Sequence, residues 1–208
     1  MSTPVHQFTL APLDWLPYVR PVRLADATDA QREAMRITPS NTRVSDYVLT
    51  LAHDPETLAV RSPLFNAIMY GQQRPTGPDA TPGGLSRAGR EMGAIGTSVF
   101  NRCIYCASIH AARFLQLTRR RDLVEQILAD GPDATVDADW QPIFAFAVRM
   151  AESPADLCKD DMDRLRAIGL DELAIVDLVL SAAVFGWANR LMHTLGEAIT
   201  PDDPAPAG

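Results

Sequence analysis

The 208-residue chain is short of positive charge, with 19 Lys and Arg against 26 Asp and Glu and a net charge of -7. A nucleic-acid-binding surface needs many cationic contacts to displace phosphate counterions, so that class is excluded. The one dense basic cluster, Arg119-Arg120-Arg121, reads as a solvated helix end. Cysteine is scarce, at three residues, and MSTPVHQFTLAP lacks the basic and apolar regions of a signal peptide. The expectation is a cytoplasmic, reducing setting in which all three are thiols. The uncharged run from Leu178 to Asn189 falls short of the roughly 20 apolar residues of a membrane span, so no membrane association is expected. Also missing is any alternating run rich in Val, Ile and Thr that would make a strand.

What is present is an ordinary globular composition, 47% apolar and 22% charged. Residues 1–44 are expected to be a partly extended arm. Pro12, Pro17 and Pro21 forbid a continuous helix there, and Asp26 or Thr28 caps a short one running to about Ile37. From Ser45 apolar residues recur at helical spacing, as Val48, Leu49, Leu51 and Ala52, then Leu58, Leu64, Phe65, Ile68 and Met69. Pro55 opens the second of these helices and Gly71 ends it. The Gly/Pro-rich stretch 71–84 reads as a surface excursion rather than a functional flap. Ser86 is the expected N-cap of the next helix, and further helices are expected near 120–129, 140–150, 159–168 and 171–199, with a break at Gly131-Pro132. The fold class is therefore all-α, with a helical domain at 45–200 and a flexible tail at 201–208. Asn101-Arg102 recurs as Asn189-Arg190, which hints at a duplicated helical unit whose second copy has lost its chemistry.

The chemistry-bearing stretch is NRCIYCASIH, 101–110. On a helix starting near Cys103, the residues Cys103, Cys106 and His110 share one face, and Tyr105 points away from it. Cys106 and His110 are i,i+4 neighbours, within reach of a direct contact or one bridging water. If the preceding helix folds back at Phe100-Asn101-Arg102, Glu91 falls opposite His110 in an antiparallel helical hairpin. Glu91 then accepts a bond from one imidazole nitrogen and leaves the other to act toward Cys106. The histidine favours Cys106 as first nucleophile, while the free N–H groups of the helix start favour Cys103; the spacing leaves both open.

The sequence LSRAGREMGAIGTSVFNRCIYCASIH, with FGWANRLMHTLGEAI near the end, resembles the AhpD-like alkylhydroperoxidases of the carboxymuconolactone decarboxylase superfamily, in their uncharacterised peroxidase-related branch. The resemblance implies an AhpD-like helical fold assembled into a homo-oligomer (dimer, trimer or hexamer), with no cofactor or metal. It implies a thiol-dependent alkyl hydroperoxidase or disulfide oxidoreductase of antioxidant defence. In that scheme Glu91 and His110, through a water, deprotonate Cys106, which attacks a hydroperoxide. Cys103 resolves the sulfenic acid as a disulfide, and a dithiol or lipoylated protein re-reduces it. Tyr105 departs from the pattern, since the best-known members carry a histidine before the second cysteine. Branches that decarboxylate lactones generally lack the CxxC pair, so its presence here speaks against decarboxylation.

Two other readings compete. A zinc site drawing on Cys103, Cys106, His110 and either Glu91 or His193 has the required number of ligands. A vestigial site in a helical oligomeric scaffold needs no chemistry at all. Cys158 is expected to be a half-buried bystander at a helix end, and His193 a satisfied or exposed residue; His6 and His53 receive no role. Trp140, Phe144, Phe146, Phe185 and Trp187, with Met69, Met92, Met150 and Met192, read as packing.

Overall fold

The structure is a computed structural model that describes residues 3–36, 44–71, 83–153 and 155–201. Helices begin where the sequence offers caps. Ahead of α1 (Asp29–Arg36), Gln31 N–H donates to Thr28 Oγ1 at 3.3 Å and Thr28 N–H donates to Gln31 Oε1 at 2.9 Å, a reciprocal cap. Its expected end at Ile37 lies outside the described residues. Ser45 caps α2 (Asp46–Leu51), and Asp54 caps α3 (Pro55–Tyr70), which Gly71 closes at φ 62°. Positions 72–82 of the Gly/Pro loop are likewise outside the described residues. Ser86 accepts from Gly89 N–H and starts α4 (Arg87–Phe100). Then come α5 (Ile104–Thr118), α6 (Arg121–Asp130), α7 (Gln141–Met150), α8 (Lys159–Ala167) and α9 (Glu172–Leu195). The architecture is all-helical, as expected. At the basic cluster, Arg119 closes α5, Arg120 bridges Asp122 and Asp137 at 2.8 and 2.6 Å, and Arg121 pairs with Glu125.

Three expectations need correction. The last helix stops at Leu195, and Gly196–Ile199 form a strand, β2, antiparallel to β1 (Asp14–Pro17), with Asp14 opposite Ile199 and Pro17 opposite Gly196. A side chain at 196 would meet the Trp15 ring and Leu16 carbonyl within 2.5 Å, so only glycine lets the arm lie there. Four-residue strands with sequences DWLP and GEAI carry no readable alternation. Second, Asn189 sits inside α9, not at a turn, so the Asn-Arg echo marks no duplicated hairpin. Third, α9 is long and apolar enough to cross a membrane by length and composition, because Asp177 and Arg190 lie within it instead of ending it. Its most apolar stretch is 56% buried inside the fold, in keeping with a core helix.

Helix α4 is the axis of the molecule, buried from Gly89 through Val99 and packed against α5, α7 and α9. Its glycines make those approaches possible. A Cβ at Gly93 would come within 2.3 Å of Ser181 Oγ on α9, and one at Gly96 within 2.8 Å of Ala147 Cβ on α7. The main core joins Met92, Ile95 and Val99 to Phe114, Ile127, Phe144 and Leu178. A second cluster holds Trp15, Met69, Phe185 and Met192 around the two CxxC cysteines. A third ties the arm, through Val22 and Met35, to Val48 and Leu58. The ion pair Arg90–Asp177, at 2.8 Å, is buried, and Asp177 also accepts from Leu85 N–H at 2.9 Å. Paired this way, the two charges satisfy the rule that buried ions need partners.

Candidate functional site

The site is built on the α4–α5 turn. Asn101 ends α4 with its N–H donating to Thr97 O, Arg102 turns the chain through a left-handed φ of 56°, and Cys103 N–H donates back to Ser98 O at 2.9 Å. Cys103 thereby becomes the N-cap residue of α5. Cys106 and His110 follow on the same helix.

Folding back at this turn brings Glu91 onto His110: Glu91 Oε2 bonds His110 Nδ1, with both side chains buried. A carboxylate can only accept, so Nδ1 carries the proton. Glu91 Oε1 accepts from Arg87, one turn earlier on α4. Burial pushes the Glu91 carboxyl upward, but His110, Arg87 and Arg113 outweigh it and hold the group below its ordinary value. Burial lowers the His110 imidazole, only partly offset by Glu91. We read the pair as a charged Glu91, neutralised by Arg87, and a neutral His110 whose Nε2 bears a free lone pair. The ring lies edge-on to Phe185, with centroids 4.3 Å apart.

Among the described residues no direct hydrogen bond joins His110 to Cys106, but both line one cavity of about 420 Å³. That leaves room for the bridging water of the sequence-based expectation. Cys103 lines a different cavity, with His6, Tyr18, Arg102, His193 and Glu197. The two thiols are free and nearly inaccessible, at 2% and 7% exposure. Hydrogen bonding from the Cys106 thiol lowers the Cys103 pKa, outweighing burial, with help from the Cys106 N–H and the Asn189 amide. The N–H contact falls short of a capping hydrogen bond. Cys106 is pushed well above the usual thiol range by its bond to Cys103, by burial and by the neighbouring charge. Of the two thiols, Cys103 is therefore the one whose surroundings favour the thiolate.

The structure brings Glu91 and His110 together as expected and sets Cys106 beside them on the shared cavity. It moves Tyr105, which lines both cavities and packs into the cluster around the dithiol instead of pointing away. Cys158 is exposed, not half-buried, and caps α8 with its N–H on Asp161 Oδ2 at 2.9 Å. Among the described residues no three His, Cys, Asp or Glu side chains converge on a common metal position. The zinc arrangement does not assemble, because Glu91 is held by His110 and Arg87 while His193 Nε2 lies 3.0 Å from Asn101 O.

Two contributors escaped sequence reasoning. Arg87 was one turn from Glu91 and legible as an i,i+4 partner. Asn189 is fully buried, donates to Ser98 Oγ at 3.1 Å, accepts from Asn101 Nδ2 at 3.1 Å and faces both sulfurs. Its only sequence signal was the Asn-Arg echo: the two asparagines are partners across the site rather than copies.

Residues 76–151 match the carboxymuconolactone decarboxylase family model. That match is confined to the segment from the Gly/Pro loop through α7. Solved structures extend the likeness in fold to nearly the whole chain. An uncharacterized peroxidase-related protein with an alkylhydroperoxidase AhpD core, from Ralstonia eutropha JMP134, superposes with a TM-score of 0.71. It is 24% identical, over 90% of this chain and 93% of that one. The uncharacterized peroxidase-related protein from Silicibacter sp. TM1040 is also 24% identical, with a TM-score of 0.65, over 82% and 84% of the two chains. The debrominase Bmp8, solved in complex with 2,3,4-tribromopyrrole, gives a TM-score of 0.65 at 20% identity over 85% and 88%. No curated protein matches the sequence. At these identities the likeness is one of fold alone, and the site must argue for this chain's own chemistry.

Proposed function

We propose that the chain is a thiol-dependent hydroperoxidase, a peroxidase-type oxidoreductase of antioxidant defence. The observation that supports it most is the buried Glu91–His110 bond, made through Nδ1, with His110 lining the same cavity as Cys106. A neutral histidine oriented by a carboxylate is a general base. It takes the Cys106 proton through a water, and the thiolate attacks the distal oxygen of a hydroperoxide. The O–O bond breaks, the alkoxide takes the proton from His110 and leaves as alcohol, and Cys106 becomes a sulfenic acid. The Cys103 thiolate, already favoured by its surroundings, attacks the Cys106 sulfur and expels hydroxide, which leaves as water once protonated. The disulfide holds the two electrons lost by the dithiol. A dithiol reductant, free or on a lipoylated protein, restores both thiols, and Cys103, facing its own cavity, is the sulfur it reaches from the opposite side.

A homo-oligomer forms part of the proposal. Leu173, Val176, Leu180 and Trp187 make an exposed apolar stripe along α9, each 39 to 51% accessible. A cytoplasmic setting goes with the free thiols. Proteolytic mapping after one equivalent of an organic hydroperoxide tests the proposal: a Cys103–Cys106 disulfide is expected, and unmodified thiols with undiminished peroxide would overturn it.

A further inference from the structure

The cavity over Cys106 is cationic in an acidic molecule. Arg61 from α3 and Arg113 from α5 line it and, among the described residues, no Asp or Glu does, although the chain carries a net charge of -7. Among the described residues neither guanidinium is ion-paired with a carboxylate, in contrast to Arg87, which Glu91 occupies, although Arg113 acts on Glu91 from a distance. Arg61 lies over the rings of Phe65, at 4.6 Å, and Tyr47, at 5.6 Å, which fix its plane. Its Nε is buried and meets no acceptor among the described residues, and the guanidinium lies close enough to Tyr47 to interact with its hydroxyl. A buried donor left unsatisfied in a half-open cavity is satisfied when a ligand supplies the acceptor. A guanidinium presents a planar fork matched to carboxylate oxygens.

The rest of the wall is aromatic or aliphatic, with Tyr47, Phe65, Tyr105 and Phe185 among its residues. Along α5, Cys106, His110 and Arg113 follow at i, i+4 and i+7 on one face. The helical rise sets Arg113 about 10 Å from Cys106 along the axis, roughly the span of a substituted ring. The volume of about 420 Å³ lies within the range of small-molecule sites.

We propose that this cavity selects a small anionic ligand with a ring-sized apolar body, its carboxylate held by Arg61 and Arg113 and its body laid between the aromatic walls toward Cys106. On the peroxidase reading above, which identifies the reacting group, the substrate class is a carboxylate-bearing organic hydroperoxide.

Calorimetric titration of the reduced full chain with para-isopropylbenzoate and with its methyl ester tests the anion site without any turnover. The acid is expected to bind at least about tenfold more tightly than the ester, a gap of about 1.4 kcal/mol, and to weaken with added salt while the ester does not. Arg61→Gln and Arg113→Gln are each expected to shrink that gap with the thermal unfolding of the free protein unchanged. If one of them fails to fold, the salt dependence of the wild type carries the test. Equal binding of acid and ester, no binding of either, or a gap untouched in both variants would overturn the anion site. A second arm compares cumene hydroperoxide with its para-carboxy derivative, and higher kcat/KM for the acid is expected. Acid-selective binding with no thiol oxidation by either hydroperoxide sinks the peroxidase reading and leaves the anion site standing. Oxidation by both with no binding preference does the reverse.

Discussion

Cys103 and Cys106 lie one helical turn apart at the start of α5, yet they line different cavities and carry opposite perturbations. The hydrogen bond between them favours the proton on Cys106 and the thiolate form of Cys103, so the sulfur with the lowered pKa is not the one beside the histidine. The division suits a dithiol whose electrophile and reductant arrive from separate sides. It also bears on the choice between helix terminus and histidine that the sequence leaves open: Cys103 is favoured chiefly by the Cys106 thiol, with the helix start a smaller contributor, and on the proposed mechanism the base activates Cys106.

The first consequence concerns alkylation. In the reduced wild type, Cys103 should react with a small alkylating agent at a pH below that of an ordinary thiol, with Cys106 lagging well above it. Replacing Cys103 with serine removes the thiolate whose hydrogen bond and charge raise Cys106, so the alkylation midpoint of Cys106 should move down. Peptide mass spectrometry across a pH series reads both, and an unmoved Cys106 would contradict the coupling.

Glu91→Gln keeps the size of the side chain while removing the charge that orients His110 and stabilises its protonated form. Loss of the oriented base should lower the hydroperoxide reaction rate by roughly 10²-fold, with little change in affinity. Stopped-flow thiol oxidation measures it, and a rate equal to that of wild type would remove Glu91 from the mechanism.

Asn189 bridges Ser98 and Asn101 in a fully buried position. Asn189→Leu leaves both partners unsatisfied and should cost roughly 1–3 kcal/mol in denaturant unfolding. It should also raise the alkylation midpoint of Cys103, because the amide is one of the groups favouring that thiolate. A stability loss without any thiol shift would assign Asn189 to packing alone.

The stability of the fold should fall on acidification. The His110 imidazole is depressed in the folded state, so below its ordinary value of about 6.5 the unfolded chain binds a proton that the native chain refuses. That contribution is complete above pH about 6.5 and is lost as pH falls toward the folded value. The Glu91 carboxyl is also depressed, so its contribution is present above the ordinary carboxylate range and is lost further down, through its folded value. Thermal unfolding between neutral and acid pH should show a decline that His110→Gln flattens in its upper part. An unchanged slope in that variant would contradict the neutral histidine.

The starts at Thr28, Pro55 and Ser86 were legible because side-chain caps and an N-terminal proline have local signatures, whereas the caps Ser45 and Asp54 emerge only in the structure. The Glu91–His110 contact was legible because an antiparallel hairpin maps equidistant residues onto each other. The β1–β2 pairing was not, since it joins segments some 180 residues apart through strands too short to show a period. Tyr105 and Asn189 eluded the reading for a related reason. One helix considered alone assigns faces, but the cavity walls come from α2, α3 and α9, whose placement is set by tertiary packing.

The central claim is that Cys106 meets the electrophile and Cys103 resolves. Cys103→Ser protein, treated with one equivalent of organic hydroperoxide and trapped with dimedone, tests this most directly. The account predicts a sulfenic-acid adduct on Cys106, and no equivalent adduct on Cys103 in Cys106→Ser protein. An adduct on Cys103 in Cys106→Ser, with Cys106 unmodified in Cys103→Ser, would contradict it.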